Sequence, residues 1–210
     1  MKLISVNVGL PREVTWRGKQ VRTSIWKNPV AGRVRISKLN VDGDRQSDLS
    51  VHGGADMAVY AYASEHYSWW RRELGDAQLP WGAFGENFTT EGLFEDRVQI
   101  GDRLRAGSAE FIVTQPRMPC FKLAIRFDRP QIVKQFLQSG RTGFYLAVLR
   151  EGEVAAGDPI EWMDRAQHAL TVAQIVGLYA EDSGNREMLR HAAELPALPS
   201  AWKDYFRKRL

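Results

Sequence analysis

The sequence predicts a mainly β fold with flanking helices, shaped as a small β-barrel and followed by a small C-terminal α-helical domain. Three observations carry that expectation. Short apolar runs separated by glycine- and aspartate-rich turns dominate most of the chain. The pair Gly-Asp recurs in "IGDRL" and "AGDPI", as it would at the tight corners of a barrel. After Asp164 the pattern changes to helical stretches broken by prolines, which divides the chain into 1–164 and 165–210.

Taken in order, Leu3, Ile4, Val6 and Val8 form a first strand stopped by Gly9 and Pro11. Val34, Ile36, Leu39 and Val41 form a second, ended by the turn Asp42-Gly43-Asp44. Residues 59–63 form a third, and Ser64 caps a helix reaching about Leu74, with Tyr67, Trp70 and Leu74 on one face. Past the glycine-rich stretch "PWGAFGENFTTEGL", residues 103–106 and 110–114 read as a hairpin around Gly107-Ser108. Residues 145–149 and 160–162 repeat that look. Between these β stretches Pro130 suits a helix start and Gly140 its end. Thr171-Val172-Ala173-Gln174 is a capping box, and two further helices follow from Asn185 and Ser200.

Composition narrows the function. At 210 residues the chain buries a core without staples. It has no apolar run of about 18 residues, the length a membrane span needs, so no membrane partner is expected. Its N-terminal apolar stretch is too short for a secretory signal. One cysteine cannot form an internal disulfide, which points to a reducing, cytoplasmic setting. The net charge of +4 is a mild bias toward anionic ligands. The seven tryptophans are scattered and read mainly as core and interface filling.

That single cysteine lies in "QPRMPCFKL". Cys120 has Arg117 and Lys122 nearby, cations that favour a thiolate, and Pro119 stiffens the approach. The segment leaves a strand at Pro116 and can enter a helix after Cys120, whose amides would add to that effect. A buried, inert cysteine is the plainer alternative. In "DLSVHGGADMAVYAY", His52, Gly53 and Gly54 sit between strand-like runs; such glycines can turn N–H groups toward an anion, or simply make a β-turn. "FGENFTTEG" places Glu86 and Asn87 behind Gly85, again in a turn. "SGRTGF" holds Arg141, a residue suited to phosphate or to a purine or pterin edge, beside a helix terminus. There is no CxxC pair, and His66, His168 and His191 lack zinc-site spacing. A metal carried by an organic cofactor needs only one protein ligand, and one thiolate would serve.

The set "GDRQSDLSVHGGADMAVYAY", "WGAFGENFTTEGL", "VQIGDRLRAGSAEFIVTQPRMPCFKL" and "SGRTGFYLAVLREG" resembles the MOSC domain family, in its YiiM-like branch. The likeness runs from about Met1 to Trp162, and the helical tail resembles the three-helix domain that follows MOSC in that branch. The resemblance implies a β-barrel fold and a molybdenum cofactor (Mo-molybdopterin), a pterin dithiolene with a phosphate tail. It implies Cys120 as the molybdenum ligand and reduction of N-hydroxylated compounds, especially purine bases such as 6-hydroxylaminopurine. Electrons would come from a separate reductase, since the sequence has no flavin or iron–sulfur motif. On the same resemblance, Arg117 and Lys122 balance the anionic cofactor and keep Cys120 ionised, His52, Gly53 and Gly54 line the cavity or cradle the pterin, and His52 joins Cys120 as a catalytic residue. Asn87 hydrogen-bonds cofactor or substrate. Arg45 and Arg141 meet the pterin or its phosphate, and Asp48 positions an arginine or binds the pterin edge. Where family members often carry a lysine, this chain has Met57.

Two other classes compete. Cys120 could carry persulfide sulfur toward a metal cofactor without reducing anything. The basic tail KDYFRKRL and Trp69-Trp70-Arg71-Arg72 could contact nucleic acid. The tail reads better as a solvated helix face with an apolar stripe, and neighbouring helical residues point apart, so one tryptophan of the pair belongs to the core. Exposed tail aromatics also fit a homodimer.

Overall fold

A computed structural model describes residues 1–47, 53–180 and 185–210. Its strands are β1 (Lys2–Val8), β2 (Arg12–Trp16), β3 (Lys19–Thr23), β4 (Asn28–Pro29), β5 (Val34–Ile36), β6 (Val59–Ala63), β7 (Phe88–Glu91), β8 (Arg103–Ala106), β9 (Ala109–Pro116), β10 (Phe144–Arg150), β11 (Gly152–Val154) and β12 (Ile160–Asp164). The helices are α1 (His66–Leu74), α2 (Phe121–Phe127), α3 (Ile132–Gln138), α4 (Val172–Ala180), α5 (Arg186–Glu194) and α6 (Ser200–Arg207).

The expected sheet-dominated class is present. Eight strands hydrogen-bond in the order β12-β8-β9-β10-β6-β7-β1-β4. All neighbours are antiparallel except β6 and β7. The expected barrel closure is not present as strand pairing among the described residues. Among the described residues the gap is bridged at one corner by a single Lys2–Pro159 bridge, where Leu3 N–H donates to Asp158 O, Ile160 N–H to Met1 O and Gly157 N–H to Leu3 O. At the other edge of the sheet, β4 is two residues long.

Two apolar clusters divide the interior. One joins the sheet's inner face (Leu3, Val6, Phe111, Val113, Leu146) to Ile175, Leu189 and Phe206 of the last three helices, which therefore share their core with the sheet. The other is aromatic: Tyr60, Tyr62, Tyr67, Trp70, Phe84 and Phe136 meet beneath α1, α2 and α3. Trp70 is fully buried and its neighbour Trp69 only partly, as helix geometry requires of adjacent residues.

Several local expectations meet the structure well. Thr171 Oγ1 accepts from Gln174 N–H at 3.1 Å while Gln174 Oε1 accepts from Thr171 N–H at 2.8 Å, a reciprocal capping box. Asn185 caps α5 through Met188 N–H. Other expectations are corrected. The strand expected across Val34 to Val41 stops at Ile36, because Ser37–Asn40 backbone bonds fold a turn that returns Val41 onto Ile36. The cap expected at Ser64 lies at Glu65; Ser64 N–H is engaged by Thr90 O instead. The β2–β3 hairpin was not anticipated, although Val14 and Val21 alternate with polar residues around the turn Arg17-Gly18. Among the described residues no helix is long and apolar enough to cross a membrane.

Candidate functional site

The sheet register builds one wall of a cleft. Tyr145 of β10 lies directly opposite Tyr60 of β6 and, on its other side, Gln115 of β9. Residues two apart on a strand share a face, so Arg117, just beyond β9, continues the side Gln115 presents. The rings of Tyr60 and Tyr145 stand 5.4 Å apart. The opposite walls come from Thr23, Ser24, Ile25 and Lys27 after β3, from Asp44, Gln46 and Ser47, and from Phe84 and Gly85. Cys120 and Lys122 complete the rim. The space these residues enclose is about 100 Å³, and it opens to solvent.

Cys120 lies partly buried at the N-cap of α2, with its backbone O accepting from Leu123 N–H. The sequence expectation of a helix starting behind it holds. Lys122 is buried in the first turn, and its Nζ reaches Ser47 Oγ at 3.4 Å. Arg117 is 5% exposed, its guanidinium lying over the rings of Phe136 at 5.0 Å and Tyr60 at 5.4 Å. Burial works to lower its pKa, but Tyr60, Tyr145 and the Cys120 sulfur outweigh this, and the net shift is upward. The guanidinium thus stays charged. Its Nη1 is buried and has no hydrogen-bond partner in the protein. A buried donor without an acceptor is costly, and a ligand in the cleft would relieve that cost. Ser24 Oγ, another cleft residue, is likewise buried without a partner.

Deeper in the cleft, Lys27 and Asp44 form an ion pair, with side chains 8% and 1% exposed. Asp44 also accepts from Gly9 N–H at 2.8 Å and from Asn87 Nδ2 at 2.9 Å. Asn87 is fully engaged by the protein. Its Oδ1 accepts from Tyr60 N–H and its Nδ2 donates to Asn7 O as well as to Asp44. It lines the cleft and braces β6, β1 and Asp44 against one another. Its neighbour Glu86 is fully buried and bonds Gly82 N–H, Phe84 N–H, Thr89 Oγ1 and the Tyr67 hydroxyl; burial raises its pKa.

Of the residues singled out from sequence, Gly53, Asn87, Arg117, Cys120 and Lys122 come together at this cleft. Met57, at the family's lysine place, lines it too. Gly54 does not; it precedes a turn of 3₁₀ helix at Ala55–Met57, which Thr114 Oγ1 holds through Asp56 O. Arg45 lies next door in a recess with Leu10, Pro11, Arg22 and Gly43, which shares Asp44 with the cleft. Arg141 lies elsewhere. It stacks on Trp69 at 4.5 Å and bonds Ser139 O, in a separate recess with His66 and Glu95. Asp48 and His52 lie outside the described residues. Lys27, Asp44, Ser24, Tyr60 and Tyr145 were not singled out, because only the fold brings them to the cleft.

The loop carrying Arg141 still matters to the site. Gly143 O accepts from Arg117 N–H at 3.2 Å, and Gly143 N–H donates to Glu95 Oε1 at 2.7 Å. Gly143 has φ +65°, and a Cβ there would stand 2.4 Å from Ala61 O and 2.7 Å from the Tyr60 ring. Gly143→Ala is therefore expected to cost at least about 2 kcal/mol, from left-handed strain plus displacement of β6. A lowered midpoint in urea unfolding checks it, and an unchanged midpoint would show that β6 yields freely.

No group of three or more histidine, cysteine, aspartate or glutamate side chains among the described residues could hold a metal ion by itself. What the cleft offers a cofactor is one thiol, three cations against one carboxylate, and an unsatisfied guanidinium donor. That set fits an anionic organic ligand carrying its own soft metal.

Comparison with known proteins agrees in extent. The MOSC domain profile matches residues 48–161, and the YiiM-like, 3-alpha helix domain profile matches residues 170–210. The chain is similar to uncharacterized protein YflK of Bacillus subtilis (strain 168), with 38% identity over 207 residues, 99% of this chain and 93% of YflK. It is 32% identical over 200 residues to a protein named "Reductase" from Gibberella moniliformis, covering 92% of this chain but 35% of that one. The crystal structure of YiiM from Geobacillus stearothermophilus superposes with a TM-score of 0.84 at 38% identity, covering 100% of this chain and 98% of the other.

Proposed function

Because the chain belongs to the MOSC domain family, we propose that it is a molybdenum-cofactor-dependent reductase of N-hydroxylated compounds, with N-hydroxylated purine bases as the substrate class. The observation that carries the reading is the cleft itself: Cys120 at its rim beside a buried Arg117 whose Nη1 lacks a partner. The name of the fungal relative supports reductase chemistry in the family.

Cys120 would hold the metal. Arg117 Nη1 and Lys122 Nζ would meet the anionic parts of the pterin, and Ser24 Oγ would take a ligand hydrogen bond. When bound, the cofactor supplies a two-electron redox centre suited to removing oxygen from an N–OH group. The chain's own residues then bind and orient. Tyr145, Tyr60 and Phe84 give a planar base an aromatic surface, and the cations hold negative charge near the thiolate.

The test is direct. Protein made in a host that supplies molybdenum cofactor, with dithionite-reduced methyl viologen as electron source, is expected to turn 6-hydroxylaminopurine into adenine. Absence of product from molybdenum-loaded protein would overturn the reductase reading.

A further inference from the structure

We propose that the β2–β3 ribbon is a docking surface for an acidic electron-transfer protein, one carrying a flavin or iron–sulfur centre, which delivers electrons at the mouth of the cleft. The inference rests on the reductase reading above.

The balance of that reaction requires a donor. Reduction of R–NH–OH to R–NH2 breaks the N–O bond, consumes two electrons and two protons, and releases water. The electrons must be brought by another molecule, whose flavin or iron–sulfur centre is oxidised in turn.

The charge distribution says where such a donor would sit. Arg12, Arg17, Lys19 and Arg22 are all exposed on the ribbon, against one acid, Glu13. Among the described residues none of these cations makes an ion pair, nor does the neighbouring Arg45, while Arg33, Arg35, Arg105, Arg150 and Arg165 on other elements do. The ribbon is a sheet of its own, paired strand to strand over five rungs. Arg12 stacks on Trp26 at 3.5 Å, and Arg126, 5.9 Å from the same ring, extends the patch. Burial and then the charge of Arg12 lower the pKa of Arg126, a sign of crowded positive charge.

Position completes the argument. The end of β3 runs directly into Thr23, Ser24, Ile25 and Lys27 of the cleft wall. A recess that includes Arg22 and Arg45 shares Asp44 with the cleft. A partner held by the ribbon is therefore held beside the cofactor's place. Uncompensated charge of one sign steers a partner of the other sign and speeds encounter. Nucleic acid would feel the same field. Single strands also use exposed aromatic rings for stacking, and the ribbon's one ring, Trp16, is partly buried.

The test compares two electron donors on the intact protein. Reduced plant-type [2Fe–2S] ferredoxin is the acidic protein probe, and reduced methyl viologen is the small cationic one. In Arg17→Glu/Lys19→Glu, ferredoxin-driven kcat/KM is expected to fall on the order of tenfold or more, as steering is lost. The viologen-driven rate should stay within about twofold, since a small donor needs no docking site. Arg17→Gln/Lys19→Gln should fall between. An unchanged ferredoxin rate, an equal loss with both donors, or a wild type that ferredoxin cannot reduce while viologen can, would each overturn the proposal. Failure of the reductase reading looks different: no product with either donor. In that case calorimetric binding of ferredoxin at low salt decides, with loss in the charge-reversed variant supporting the surface and absence in the wild type overturning it. Tighter binding of a single-stranded oligonucleotide than of ferredoxin by wild type would also overturn it.

Discussion

Cys120→Ala, produced beside wild type in a host that makes molybdenum cofactor, is expected to lose at least about tenfold in molybdenum content. Removing an outer-shell partner of a metal ligand already costs roughly 10–100-fold in affinity or activity, and removing the ligand itself costs no less. N-hydroxy reduction should fall to background with it. The fold should survive. Cys120 is partly exposed at the start of a short helix, so a stability change within about 1 kcal/mol is expected. Mass-spectrometric metal analysis and a melting curve on the same samples separate the two effects. Equal molybdenum in both proteins would remove Cys120 as ligand while leaving the cleft as the cofactor site. Molybdenum in neither would turn attention to the thiol itself, where a persulfide trapped on Cys120 would favour sulfur transfer over reduction.

Local chemistry was the legible part of this molecule. Thr171 and Gln174 bond only across one helical turn, so their pattern in the sequence sufficed. The helix behind Cys120 was visible for the same reason, as were Arg117 and Lys122 beside it in the chain. Whether the expected barrel closes was not legible, because that depends on how the 157–160 segment meets β1, more than 150 residues away in sequence. The cleft's other members follow the same logic. Lys27 has no partner near it in sequence; Asp44 reaches it only after Gly9 and Asn87 have pinned the carboxylate in place. Arg141, a guanidinium between two glycines, suits an anion site by its sequence, while the fold stacks it on Trp69 of α1, away from the cleft. His66 and Glu95, 2.8 Å apart, support the Gly143 turn and hence Arg117, a role that no spacing in the chain reveals.

Asp44→Ala is expected to cost about 3–5 kcal/mol, the penalty for removing one member of a buried ion pair. Lys27 would be left as an ammonium whose side chain is 8% exposed, and Gly9 N–H and Asn87 Nδ2 would each lose an acceptor. The double substitution Lys27→Met/Asp44→Asn should recover a large part of the loss, because Asn keeps an acceptor and no charge remains to be buried. The pH dependence has a definite sign. Burial lowers the Lys27 pKa below its usual 10.5, and Asp44 partly opposes that shift. Between the lowered folded value and 10.5, the unfolded chain binds more protons than the folded one, so stability rises with pH through that window. Without Asp44 the folded value drops further and the window extends downward. The deficit of Asp44→Ala should therefore shrink as pH rises from about 7 toward about 9.5, while the double variant shows no such trend. Urea unfolding across that range reads both. A cost under about 1 kcal/mol with no pH trend would mean that Lys27 swings into the open cleft and is solvated there. The charge facing a ligand would then be one cation greater than the buried pair allows, and Lys27 would join Arg117 and Lys122 among the groups meeting the anion.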